Sequence, residues 1–246
     1  MLRRQRLARM ALSFGLLGLF GLLLGLGLVI WGYQSGDGRE FSLLNHSLSE
    51  LGSYGHSKLA VLLNGGLFFG SLSLVLCWLF TLQLSRLLSG HLLYLSLTLT
   101  CMALAGVGLF PVNVYHLHIL MLKWFFIFGC ISVGCYLVYL LQRPFGAATL
   151  WTLIPALISG VSLGAFLFLP HLELGITEGD NPFYHELVLQ LPRPDFWWPA
   201  VLEWLGLGSF MLWVLCLLLC TKKAPMNRSL LKVLIKGRKS PQHGLA

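Results

Sequence analysis

Long apolar runs alternate with short polar connections along the chain, and the runs occupy residues 11–31, 59–82, 92–110, 117–141, 150–169 and 199–220. A bilayer's hydrocarbon core takes about 20 apolar residues per helical crossing, so each run predicts one membrane-spanning helix. The expected fold is all-α: a polytopic integral membrane protein whose six-transmembrane-helix bundle fills residues 1–220, leaving no room for a soluble domain. Polar residues concentrate between the first two runs, in Asn45-His46-Ser47-Leu48-Ser49-Glu50-Leu51-Gly52. Ser47-x-x-Glu50 has capping-box spacing, in which the hydroxyl accepts from the third amide while the carboxylate reaches back. It predicts a short surface helix starting near Ser47 and gives Glu50 a purely structural alternative role.

Composition agrees with the pattern, since 57% hydrophobic against 11% charged residues places the chain outside the soluble class. The net charge of +8 changes the picture only through its distribution. Arg3, Arg4, Arg6 and Arg9 precede the first run, Arg86 and Arg143 lie in the second and fourth connections, and seven Lys or Arg from Lys222 onward follow the sixth. These segments share one side of the membrane, so the positive-inside rule predicts both termini in the cytoplasm. Asp37, Glu40, Glu50, Glu173, Glu178, Asp180, Glu186 and Asp195 fall in the opposite connections. The basic balance is thus an orientation signal and calls for no nucleic acid. The first run is too long for a signal peptide and lacks a cleavage pattern, so an uncleaved helix is expected. Short loops suit a bacterial cytoplasmic (inner) membrane.

All six cysteines lie within the runs, which implies no disulfide framework. Gly21-x-x-x-Gly25, Gly66-x-x-x-Gly70 and Gly160-x-x-x-Gly164 are small-xxx-small patterns that let helix backbones approach closely. They are expected to serve packing within the chain, with a homo-oligomer as the alternative use. After residue 220 the tail, 221–246, turns basic and amphipathic. Arg228, Lys232 and Lys236 share one helical face and Leu230, Leu231, Leu234 and Ile235 another, a layout suited to anionic inner-leaflet lipids.

Candidate chemistry collects where odd-numbered connections meet the outer membrane face. Asn64 lies about two turns into the second run, where an amide is costly unless bonded, so a bond to a neighbouring helix is expected. His116 and His118 follow Phe110-Pro111; histidines two apart share a side only on extended backbone and oppose each other on a helix. Lys123 and Glu203 sit at similar depth, and either they pair or Lys123 snorkels to headgroups. The candidate outer-face site therefore comprises Asn45, His46, Ser47, Ser49, Glu50, Asn64, His116, His118, Lys123 and Glu203. Of these, His46, Glu50, His116 and His118 are the side-chain types that zinc uses.

Asn45-His46-Ser47-Leu48-Ser49-Glu50-Leu51-Gly52, then Asn64-Gly65-Gly66-Leu67, then Gly106-Val107-Gly108-Leu109-Phe110-Pro111 with a following His, resembles the six-helix membrane family catalogued as domain of unknown function 998. More distantly the layout is similar to the eukaryotic Frag1/DRAM/Sfk1 group, where Glu50 would correspond to an Asp of an outer Ser-Asp-x-Gly motif and His116 or His118 to a later His. That resemblance implies lipid handling and a shared outer-face constellation, without a reaction. The reading that follows is a non-enzymatic, lipid-associated membrane protein in which Glu50, Asn64 and His116 or His118 form a polar knot, with no cofactor. A metal-dependent intramembrane hydrolase acting on a lipid, with zinc, is the alternative. The His-x-x-x-His expected on a late helix of ceramidase-like enzymes is missing, which weighs against it. A transporter is a minor alternative, because nearly all ionisable groups stay at the membrane edges.

Overall fold

The computed structural model describes residues 2–33, 41–54, 57–142, 147–168 and 195–222. Its helices are α1 (Leu2–Trp31), α2 (Leu48–Leu51), α3 (Ala60–Leu82), α4 (Leu88–Leu109), α5 (Tyr115–Leu141), α6 (Ala147–Phe168) and α7 (Trp198–Lys222). All but α2 are long and apolar enough to cross a membrane, and no strand occurs among the described residues. Segments this apolar must satisfy their backbone polar groups internally, which the helix does. The chain leaves α4 at Phe110 (φ −110°, ψ 89°), because the ring of Pro111 disfavours helical geometry at the residue before it. Pro155 deprives α6 of the bond to the Trp151 carbonyl. One turn away Thr152 bonds Tyr136 and ties α6 to α5.

Each long helix packs on its neighbour in sequence, and α7 returns to α1, so the six form a closed ring. The pairs run antiparallel: Gly25 of α1 meets Leu62 and Gly18 meets Gly70 of α3, while Val133 of α5 meets Gly160 of α6. The first two glycine patterns are packed on each other. A Cβ on Gly66 would lie 2.8 Å from the Gly21 carbonyl oxygen, and one on Gly25 would lie 2.9 Å from that of Leu62. These faces are therefore occupied within the chain. Inside the ring Trp78, Phe126, Tyr136, Phe166, Phe210 and Trp213 are fully buried, and Thr100 and Ser132 join α4 to α5 at 3.0 Å.

Six crossings bring the start of α1 and the end of α7 to the same end of the ring. The opposite end carries α2, the α4–α5 turn and the start of α7. Arg228, Lys232 and Lys236 of the basic tail, and the acidic connection at 169–194, lie outside the described residues.

Candidate functional site

Residues 41–54 fold back into the mouth of the ring. Ser47, extended at φ −73° and ψ 154°, caps α2 and accepts a hydrogen bond from the Glu50 amide at 3.1 Å, which is half of the expected capping box. The helix is not a surface one, however. Leu48, Ser49, Glu50 and Leu51 are all buried, because Leu48 and Leu51 join the apolar core and draw the polar residues between them inward.

A further cap comes from α7. Glu203, 3% exposed, accepts the Leu48 amide at 2.8 Å and the Ser49 amide at 3.3 Å on Oε2, and the Ser49 hydroxyl lies 3.1 Å from Oε1. A carboxylate is favoured there, since the opening amides of a helix have no partner within it. Nε2 of His118 lies 3.2 Å from the same hydroxyl, and its Nδ1 donates to the Phe110 carbonyl at 2.7 Å. Ser49 is thus the centre of a string, Glu203–Ser49–His118, that joins α7, α2 and α5.

Three further clasps hold the loop. Asn64 Nδ2 donates to the Gly52 carbonyl at 2.9 Å, so the amide bonds the loop where a neighbouring helix was expected. Asn113 and Tyr54 exchange two hydrogen bonds, at 2.8 and 3.2 Å. The Trp197 amide donates to Leu44 and Trp204 Nε1 to the His46 carbonyl, both at 2.8 Å. Beneath α2, Ser49, Asn64, His118 and Glu203 edge a cavity with about 20 Å³ open to a water molecule, whose walls are Leu67, Leu104, Leu122, Phe125 and Leu207.

The remaining candidates divide. Asn45 is half-buried at the edge of this loop. His46 is buried, its ring against Tyr33 and Phe41 and its Nδ1 against Ser42. Glu50 is buried within electrostatic reach of Glu203. α5 is already helical at Tyr115, so His116 and His118 oppose each other: His118 is 3% exposed while His116 is exposed beside Tyr115. Lys123 is exposed on α5, whereas Glu203 is buried and engaged with α2, so the two charges do not share a site. His46, Glu50, His116 and His118 do not converge, and among the described residues no three His, Cys, Asp or Glu side chains do. The Gly52 and Phe110 carbonyls and Asn113 escaped the sequence reading; only Asn113, a polar residue in a turn after proline, left a signal there.

The asymmetry of the two histidines is testable. His118→Ala removes the partner of both Ser49 and the Phe110 carbonyl and should cost about 2–3 kcal/mol. His116→Ala should stay within about 0.5 kcal/mol, as exposed substitutions do. Unfolding of the detergent-purified variants measures both.

A ring of apolar helices plugged at one mouth by a buried polar loop defines a multi-pass membrane protein. The chain belongs to the family described as protein of unknown function (DUF998), which it matches over residues 22–219. No curated protein and no solved structure matches it.

Proposed function

We propose that this is a non-enzymatic, lipid-associated membrane protein, oriented with both termini in the cytoplasm, whose Glu203–Ser49–His118 string and Asn64 clasp the ends of α3, α5 and α7. The observation that carries this reading is that these polar groups are spent on one another and on α2. In particular, the Leu48 and Ser49 amides, the backbone donors beside the Ser49 hydroxyl, are both taken by Glu203. The basic connections support the orientation, and the spacing of Arg228, Lys232 and Lys236 supports contact with anionic lipid.

The test is reconstitution in nanodiscs of mixed neutral and anionic phospholipid, with the bound lipid extracted and quantified. The wild type should enrich anionic lipid several-fold over the bulk, and the Arg228→Ala, Lys232→Ala, Lys236→Ala triple variant should lose that enrichment at unchanged unfolding temperature. Equal, bulk-like lipid in both would overturn the lipid reading.

One observation favours a second reading, a lipid hydrolase: His118 Nε2 faces the Ser49 hydroxyl with Nδ1 fixed by a carbonyl, as a general base beside a nucleophile would be. Release of fatty acid from reconstituted lipid by wild type, abolished by Ser49→Ala in protein that remains folded, would establish it over the first.

A further inference from the structure

The hydrogen bonds around Ser49 can be counted. A carbonyl oxygen only accepts, so the contact with Phe110 places a hydrogen on Nδ1 of His118. Two contacts then converge on the Ser49 hydroxyl, from His118 Nε2 and from Glu203 Oε1. Serine brings one proton to these two bonds, and the second must come from its neighbours. Either Nε2 carries it, giving an imidazolium and a carboxylate, or Glu203 carries it and both partners are neutral. The two forms interconvert by a relay through the hydroxyl: one proton moves from Nε2 to Oγ as the serine proton moves to Oε1. The net charge of the string itself is zero in both, the form of least cost for a buried group.

We propose that Glu203, Ser49 and His118 form a binding site for one proton, exchanged through a single water in the cavity beneath α2, and that this proton locks α2 into the ring. Without it, one Ser49 contact sets lone pair against lone pair and the buried string carries a negative charge. With a second one, Nε2 and Oε1 both donate to Oγ, the serine hydroxyl proton has no acceptor, and the string is cationic. The cavity has room for one water. Asn64 Oδ1, on a side chain 95% buried (5% exposed), accepts no hydrogen bond among the described residues and provides an anchor for it.

The charged surroundings are few. On α2, Glu50 is buried within electrostatic reach of Glu203. On α5, His116 and Lys123 point away, exposed. In the loop, His46 turns to Ser42, and Lys58 before α3 and Asp195 before α7 are exposed. The cavity walls from α3 and α4 carry Asn64, Leu67, Leu104 and Val107, none ionisable, and the α1 arginines lie at the other end of the ring.

The pH dependence follows from proton counting. With α2 released, the carboxyl and the imidazole titrate near their ordinary ~4.3 and ~6.5. Between those values released and locked forms each hold one proton, and the equilibrium is flat. Above ~6.5, and until the locked form gives up its own proton, the locked form holds one more, so locking weakens by up to about tenfold per pH unit as pH rises. Below ~4.3 the released form holds one more, and locking weakens as pH falls.

Amide hydrogen exchange of the full chain in detergent reads this directly, with α4 amides as internal reference. Protection of residues 48–52, corrected for intrinsic rate, should hold from pH 5 to ~6.5 and then fall, by up to about tenfold per unit, as pH rises toward 9. In Glu203→Gln the amide supplies a fixed hydrogen to Ser49, so its protection should stay level to pH 9. A wild-type profile level to pH 9, or a Glu203→Gln profile falling in parallel with it, would overturn the proposal. Should Glu203→Gln fail to fold, His118→Gln supplies the fixed hydrogen from the other side and carries the same test.

Discussion

Replacing Glu203 with alanine is expected to destabilise the protein by about 4 kcal/mol, whereas Glu203→Gln stays within about 1 kcal/mol of wild type. The difference lies in what remains buried. Alanine strands two donors, the Leu48 and Ser49 amides, while the Ser49 hydroxyl keeps Nε2 of His118 as its acceptor. Each buried donor without a partner costs about 1–3 kcal/mol, and water entering the space left by the side chain recovers part of the sum. Glutamine keeps the shape, accepts the two amides on its oxygen and donates to Ser49 from its nitrogen. Reversible unfolding in mixed micelles measures both. Comparable losses in the two variants would mean that charge, and not hydrogen-bond completion, holds α2 in place. Exchange at Leu48–Leu51 should rise in the alanine variant before exchange at α4 does, since the defect sits on the loop and the ring behind it is intact.

The spanning helices and the site were not equally legible in the sequence. Run length and apolarity alone place all six spanning helices, because a membrane leaves the backbone no other way to satisfy itself. Ser47-x-x-Glu50 locates α2 for a similar reason, being a local rule with a local partner. The partner of Glu203 is not local: Leu48 and Ser49 precede it by more than 150 residues. Depth along the helices pointed to Lys123, but depth says nothing about azimuth, and Lys123 faces out of the ring. His116 and His118 show the converse. The rule that residues two apart diverge on a helix was available, and only the start of α5 was needed to decide which histidine turns inward. Burial of α2 itself was hidden, because its polar residues read as solvated until Leu48 and Leu51 are seen in the core.

Gly108 is where a single methyl group should do the most damage. A Cβ built there would lie 2.6 Å from both the Asn64 carbonyl oxygen and the Phe68 amide nitrogen of α3. Neither is the end of a flexible side chain, so relief requires moving α3 and α4 apart. Overpacking of a close contact costs typically 1–3 kcal/mol, and separation of these helices also draws Asn64 away from the Gly52 carbonyl at a further cost of about 1 kcal/mol. Gly108→Ala should therefore lose about 3 kcal/mol in detergent and release α2 as a secondary effect. Gly65→Ala, one position from Asn64 but with nothing within 4 Å of its Cβ, should be neutral or slightly stabilising, because alanine is the better helix former. If the two variants unfold alike, the close approach of α3 and α4 is not what seats Asn64 beneath the loop. If Gly108→Ala loses stability while α2 keeps its exchange protection, the ring and the clasp are independent, and the loop is held by α5 and α7 alone.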